Sequence, residues 1–257
     1  MEQALLFELY VVIFVMMRMM GMVLFNPLVG RNNIPIVYRI GLVMILTFLV
    51  FEYVPVGQVY YQTVAGTVTA LLLELLLGYF LGYLVYCILS VFSVGGELID
   101  MQLGLSMAQM YDSSSNVNMS LVGTIYNLLF MLCFFAVDGH LTLIQLMIQS
   151  YTVVPVGQVV LNGQLAIYCV EFFGAILTLA VKLAIPVVSI QLITEVAVGI
   201  LMKAIPQINV FVLNIQLKLI IGFFIIFAMV PNYADFIQKL MDILFGNISA
   251  GLAMFFN

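Results

Sequence analysis

Arg18, Glu74, Glu171, Lys182 and Lys218 each interrupt a long apolar run, and these ionisable side chains are the first candidates for chemistry in the sequence. A charged group inside such a run is a default suspect for a proton or ion relay. Its other reading is ion pairing between subunits, or simply a solvated helix end. No helical stretch collects an Asp/Glu/His cluster, which weighs toward pairing. His140, the only histidine, sits at a corner beside Asp138 and Gly139 with no second metal ligand at helical spacing, which suits capping or packing. Ser113, Ser114 and Ser115 have no adjacent base to make a nucleophile, and no Gly-rich phosphate loop follows a strand. Cys87, Cys133 and Cys169 lie in apolar runs without CxxC spacing and read as reduced thiols packed as small hydrophobes. The expectation is a protein with no enzymatic site, no metal and no cofactor.

Composition then bounds the class. Of 257 residues 65% are hydrophobic and only 7% charged, where soluble domains carry roughly 25% charged residues. The chain is therefore read as part of a membrane or a membrane complex. A net charge of -5 with few Lys and Arg argues against a nucleic-acid surface. No polar linker divides the sequence, so one domain over 1–257 is expected. Glu2 and Glu8 stand where a signal peptide needs a basic region, and the first apolar stretch is read as a retained helix.

The elements that must position these residues are helices; no strand pattern is visible. The expected order is Leu5–Phe25, Ile40–Phe51, Val68–Phe92, Glu97–Met110, Leu121–Val137, Leu141–Val154, Leu165–Leu192, Glu195–Ala204, Phe211–Met229 and an amphipathic tail, Tyr233–Phe256. A lipid-spanning helix needs about 20 apolar residues. The uncharged run is 22 residues between Glu74 and Glu97 and 25 between Asp112 and Asp138, the latter beginning with a polar loop, but 12 before Glu52, 10 from Glu171 to Lys182, 12 from Lys182 to Glu195 and 14 from Lys203 to Lys218. Each charge at mid-bilayer would cost about 2.5–3.5 kcal/mol. Such helices need burial yet are too interrupted for lipid alone. Packing against other chains resolves both demands. Arg31 and Arg39 place the first turn in the cytoplasm by the positive-inside rule.

At the middle of the chain the apolar character breaks. Read as a helix, Glu97, Asp100, Gly104 and Ala108 form one acidic and small-residue stripe, with Ile99, Leu103, Met107 and Met110 on another side. Asp112, the three serines, Asn116 and Asn118 then favour turns. Ser120 is the expected N-cap of the next helix. The shoulders of this loop carry Met107, Met110 and Met119, whose thioethers repack easily, as a deformable seal would require.

Two further features stand out. The hexapeptide VPVGQV occurs at Val54–Val59 and Val154–Val159, either as two similar helix exits of type I turn geometry or as a mark of two related halves. Pro206-Gln207-Ile208-Asn209 breaks a helix in apolar sequence, as a plain turn or as buried irregular backbone at a channel wall or subunit contact.

Several blocks together carry a resemblance. GELIDMQLGLSMA with the Asp and small polar loop after it, LLF…DGHLTLIQLMIQSYTVVPVG, and KAIPQINVFVLNIQLKLIIG resemble the flagellar export-gate family of FliR and its injectisome counterparts. RMMGMVLFNPLVGRNNIPIVYRIGL resembles that family's N-terminal hairpin, so the likeness covers nearly the whole chain. The NVFVL…LK block favours the flagellar branch. Two positions depart from the pattern: Ser114 where a proline is usual, and Leu141 where a second histidine is common.

The resemblance implies an all-α fold of apolar hairpins with broken helices, an integral subunit of a helical channel complex in the bacterial inner membrane. It implies a single copy in a ring with FliP-like and FliQ-like chains, contacted by an FlhB-like switch protein, with unfolded export substrates passing through a central pore. Membrane lipid is the remaining partner; no nucleic acid is expected. Carried to matching positions, the family's pore plug is Met107 to about Met119, with Met107, Met110, Tyr111, Asp112, Asn116 and Met119 as its candidates. Glu97, Asp100, Gly104, Lys203, Pro206, Gln207, Asn209, Phe211 and Lys218 are structural or subunit-interface candidates. The competing function is a polytopic secondary transporter or ion channel using Glu74, Glu171 and Lys182.

Overall fold

The computed structural model describes residues 2–26, 35–54, 63–106, 120–205 and 210–255. Among these, seven main helices occur and no strand: α1 (Glu2–Phe25), α2 (Ile36–Phe51), α3 (Val64–Leu103), α4 (Leu121–Ala136), α5 (Gly139–Val153), α6 (Gly163–Ala204) and α7 (Val210–Ala253). The all-α expectation holds. By length and composition α3, α6, α7 and the Glu8–Phe25 part of α1 are each able to cross a membrane, and α4 with α5 forms a bent pair that passes the same test.

Three predicted breaks are absent. Val68–Phe92 and the start of Glu97–Met110 join in α3, Leu165–Leu192 joins Glu195–Ala204 in α6, and Phe211–Met229 joins the tail in α7. Packing outweighs local propensity at the joins in α3 and α7. Gly95 lies against Leu183 and the Ala180 carbonyl, and Gly96 lies on Gly123, so these glycines serve close backbone approach rather than a turn. Pro231 sits inside α7, where an unsupported proline would cost about 3 kcal/mol. Buried Tyr233 just beyond it packs against Tyr126 in a tilted arrangement, 4.2 Å between ring centroids. The resulting helices of 40, 42 and 44 residues are about 60 Å long, twice the hydrocarbon thickness.

The chain divides into two compact units. The first comprises Met1–Ile88, Asp138–Phe172 and Met241–Asn257. Here α1 and α3 approach so closely that a Cβ on Gly78 would lie 2.0 Å from the Arg18 carbonyl oxygen, and one on Gly21 2.3 Å from that of Leu75. Two glycines thus make backbone the contact surface. Phe80 of α3 meets Phe255 and Tyr168, and the Tyr168 hydroxyl reaches the carbonyl and side-chain oxygens of Asn247 at 3.0 and 2.7 Å. The Val160 N–H donates to the Phe255 carbonyl at 3.1 Å and closes this end of the unit.

The second unit comprises Leu89–Val137 and Phe173–Leu240. Its core is aromatic. Phe92 packs on Phe130 at 5.1 Å, and Phe130 stacks on Phe134 at 6.0 Å, all three buried. Each such ring contributes about 1.5–3 kcal/mol on burial.

Candidate functional site

Arg18 and Glu74, both fully buried, form an ion pair in the first unit. The Arg18 Nε donates to Glu74 Oε2 at 2.6 Å, Nη1 to Ser150 Oγ at 3.1 Å and Nη2 to the Val154 carbonyl at 3.0 Å, while the guanidinium lies 4.1 Å over the Tyr151 ring. The other Glu74 oxygen accepts the Gly157 N–H at 2.7 Å. A buried charge costs several kcal/mol unless paired and hydrogen-bonded, and here the charges meet both conditions. Of the two readings open for these residues, pairing is what occurs, and within one chain rather than between subunits.

Gly157 belongs to the second VPVGQV copy. Gln158 N–H donates to the Pro155 carbonyl at 3.1 Å and Gly157 takes φ +76°, with no positive φ at Val156. A positive φ at the third position makes this a type II turn, not the type I expected, because only glycine takes that angle without strain. Residues 55–59 of the first copy lie outside the described residues. Glu74 is buried while Glu171 is exposed, so the glutamates following the two copies have different surroundings.

The stem flanking residues 107–119 lies in the second unit. Helix α3 ends at Leu103 and Gly104 follows with φ +78°; Leu105 and Ser106 are helical again, and residues 107–110 of the expected Glu97–Met110 helix lie outside the described residues. That left-handed glycine is a common helix stop. Ser120 is the N-cap of α4 as expected, its Oγ accepting the Gly123 N–H at 2.8 Å. Asp100, 1% exposed, accepts the Leu121 N–H at 2.6 Å and the Val122 N–H at 3.3 Å. Glu97, one turn earlier on the same stripe, is exposed; Ile99 and Leu103 are buried as their own side of the helix requires. Leu103 also reaches α7, where a Cβ on Gly222 would stand 1.9 Å from Leu103 Cδ2. Met107, Met110, Tyr111, Asp112, Asn116 and Met119 lie outside the described residues.

In the α6–α7 part of this unit the Lys218 ammonium pairs with Glu195, and Gln191 Nε2 donates to the Lys218 carbonyl at 2.8 Å. Lys182 and Lys203 are exposed. Phe211 falls in the first turn of α7, and Pro206, Gln207 and Asn209 lie outside the described residues. His140 stands half-buried in the first turn of α5, after Asp138 in the left-handed region at φ 57°. No disulfide joins the three cysteines. No group of three or more His, Cys, Asp or Glu able to hold a metal occurs among the described residues.

Sequence reasoning missed the partners of Arg18. Ser150 and Val154 lie 132 and 136 residues further on, and Gly157, which donates to Glu74, lies 83 residues beyond that glutamate; nothing local marks them except the Pro-Val-Gly turn. It also missed Gly222 as the seat of Leu103.

A family model described as "Bacterial export proteins, family 1" matches residues 9–244. The chain is similar to the flagellar biosynthetic protein FliR of Escherichia coli strain K12, 27% identical over 230 residues, 90% of this chain and 88% of that protein. The FliR of Pectobacterium carotovorum subsp. carotovorum is 28% identical over 89% of this chain and 87% of its own length, and that of Bacillus subtilis strain 168 is 27% identical over 88% and 90%. With long apolar helices of spanning length and a match that runs through both units, the chain belongs to family 1 of the bacterial export proteins, the FliR family, as an all-helical membrane subunit of the flagellar export apparatus.

Proposed function

We propose that the chain is a core subunit of the flagellar type III protein-export gate. It forms part of the channel wall, and its segment from about 107 to 119 plugs the pore until an unfolded substrate passes. The observation that carries this reading is the outward face of α6. Lys182 stands exposed beside exposed Val181 and Ile185, with exposed Leu177 and Ile190 to either side. Those apolar side chains favour leaving water, while the ammonium would cost about 2.5–3.5 kcal/mol at mid-bilayer. A neighbouring protein satisfies both. FliP-like and FliQ-like chains are the proposed neighbours, with an FlhB-like switch protein in contact. The carrier reading has less support, because both oxygens of Glu74 are engaged inside the fold.

The plug reading rests on residues whose chemistry suits a seal: thioethers at Met107, Met110 and Met119, one ring at Tyr111, and a polar centre. Deleting Ser113–Asn118 is expected to make membranes leak small solutes while the chain still assembles. Unchanged conductance counts against the plug. The subunit reading has its own test: the chain should leave detergent extraction in a large hetero-oligomer, and a homogeneous monomer would overturn it.

A further inference from the structure

We propose that Asp100 is a positioning residue for the plug: its carboxylate ties together the two stems from which residues 105–119 emerge. The proposal rests on the plug reading above, but its evidence lies in the described stems. The first N–H groups of an α-helix have no acceptor within that helix, and the positive end of its dipole favours an anion. In α4 the local cap is already present, since Ser120 Oγ takes the Gly123 N–H. Asp100 adds a second cap from a different helix, 21 and 22 residues back, taking the Leu121 and Val122 N–H groups with one oxygen each. Because α4 has its own cap, what Asp100 adds is the link between helices.

Three neighbouring features make that link rigid. Gly96 lies on Gly123 so closely that a Cβ there would stand 2.2 Å from the Gly123 Cα. Leu103 seats on Gly222 of α7, and Gly104 ends α3 at a left-handed turn. The last turn of α3 therefore fixes both where the connection leaves and, through Asp100, where it returns. Asp100 is 1% exposed, so this carboxylate serves its own chain rather than a neighbouring one.

The test uses the assembled complex and two readouts. Amide hydrogen exchange at Leu121 and Val122 isolates the tie, since among the described residues their acceptor is Asp100. Asp100→Ala is expected to accelerate exchange there by about tenfold or more, the loss of charge-assisted hydrogen bonds, while the α4 interior near Phe130 stays protected. Asp100→Asn, which keeps one carbonyl acceptor, falls between. Small-solute leak through resting membranes is the second readout. Asp100→Ala should leak toward the level of the Ser113–Asn118 deletion and add nothing to it. Should Asp100→Ala fail to assemble, Asp100→Asn carries the same comparison. Unchanged exchange would overturn the tie. Accelerated exchange with no leak, where the deletion does leak, would overturn the positioning role and leave the plug standing. If the deletion does not leak, the plug reading falls, and exchange alone decides whether Asp100 joins the stems.

Discussion

The Arg18 guanidinium and the Glu74 carboxylate meet at 2.6 Å with neither side chain exposed, and each also holds backbone or side-chain groups near the end of α5. Arg18 comes from α1, Glu74 from α3, and Ser150, Val154 and Gly157 from α5 and the turn after it. One polar knot therefore joins three parts of the first unit inside apolar surroundings. A pair of this kind does not add much to stability by existing, because desolvation offsets the attraction. Its value is that wrong arrangements leave a charge unpaired.

Removing one partner should be severe. Glu74→Leu leaves the Arg18 cation buried against a carbonyl, a hydroxyl and a ring, at a cost of about 3–5 kcal/mol. The double variant Arg18→Met/Glu74→Leu should recover part of that, and not all, because the Val154 carbonyl loses its donor. Reversible unfolding in mixed micelles measures both. A double variant as unstable as the sum of the singles would show that the two residues act independently.

Exchanging the two charges should not rescue the fold. Arg18→Glu with Glu74→Arg would aim a carboxylate at the Val154 carbonyl and a guanidinium at the Gly157 N–H, reversing the polarity of both contacts. Ion pairing alone would predict recovery. Failure to recover the hetero-oligomer on purification is the expected result.

The α1–α3 contact sets up a comparison between glycines. A Cβ on Gly78 would stand 2.0 Å from the Arg18 carbonyl oxygen, and backbone on both sides cannot yield without separating the helices. Gly78→Ala should therefore destabilise by about 3 kcal/mol or more, comparable to a severe core change. Gly41, inside α2 with nothing within 4 Å of its Cβ position, should do the opposite. Gly41→Ala is expected to stabilise the isolated chain by about 0.5–1 kcal/mol. Similar effects from the two substitutions would contradict the close approach at Gly78.

These contacts also show what the sequence discloses and what it withholds. Ser120 was legible as a cap because its hydrogen bond spans three residues and the turn-forming run before it is local. The all-helical class and the membrane character were legible from composition and from the absence of strand alternation. Glu74 was visible as an anomaly, but its partner was not, since Arg18 lies 56 residues away and any of several cations could have served. The joins in α3 and α7 are hidden from the sequence for the same physical reason. Gly95-Gly96 and Pro231 carry breaker propensities worth about 1 and 3 kcal/mol, and tertiary packing on Ala180, Gly123 and Tyr126 exceeds them. The apolar period continues past Leu103, which carries the expected Glu97–Met110 helix through Gly104. A glycine in a periodic run is usually tolerated, and only its backbone angle shows that Gly104 interrupts the helix, with Leu105 and Ser106 helical again.

The second ion pair should behave unlike the first. Glu195 and Lys218 join α6 to α7, but their side chains are 41% and 15% exposed, so solvent screens their attraction and side-chain ordering opposes it. Glu195→Gln is expected to change stability by less than about 1 kcal/mol, and that small effect should shrink further in 1 M salt, where the screening length falls to about 3 Å. Arg18 and Glu74, closed off from solvent, should show no such salt dependence. Helix pairing here relies instead on Gln191, which reaches the Lys218 carbonyl and lies against Gly222. Unfolding in mixed micelles at low and high salt separates the two pairs. A loss of several kcal/mol from Glu195→Gln would mean that this surface pair is shielded from water in the functioning assembly.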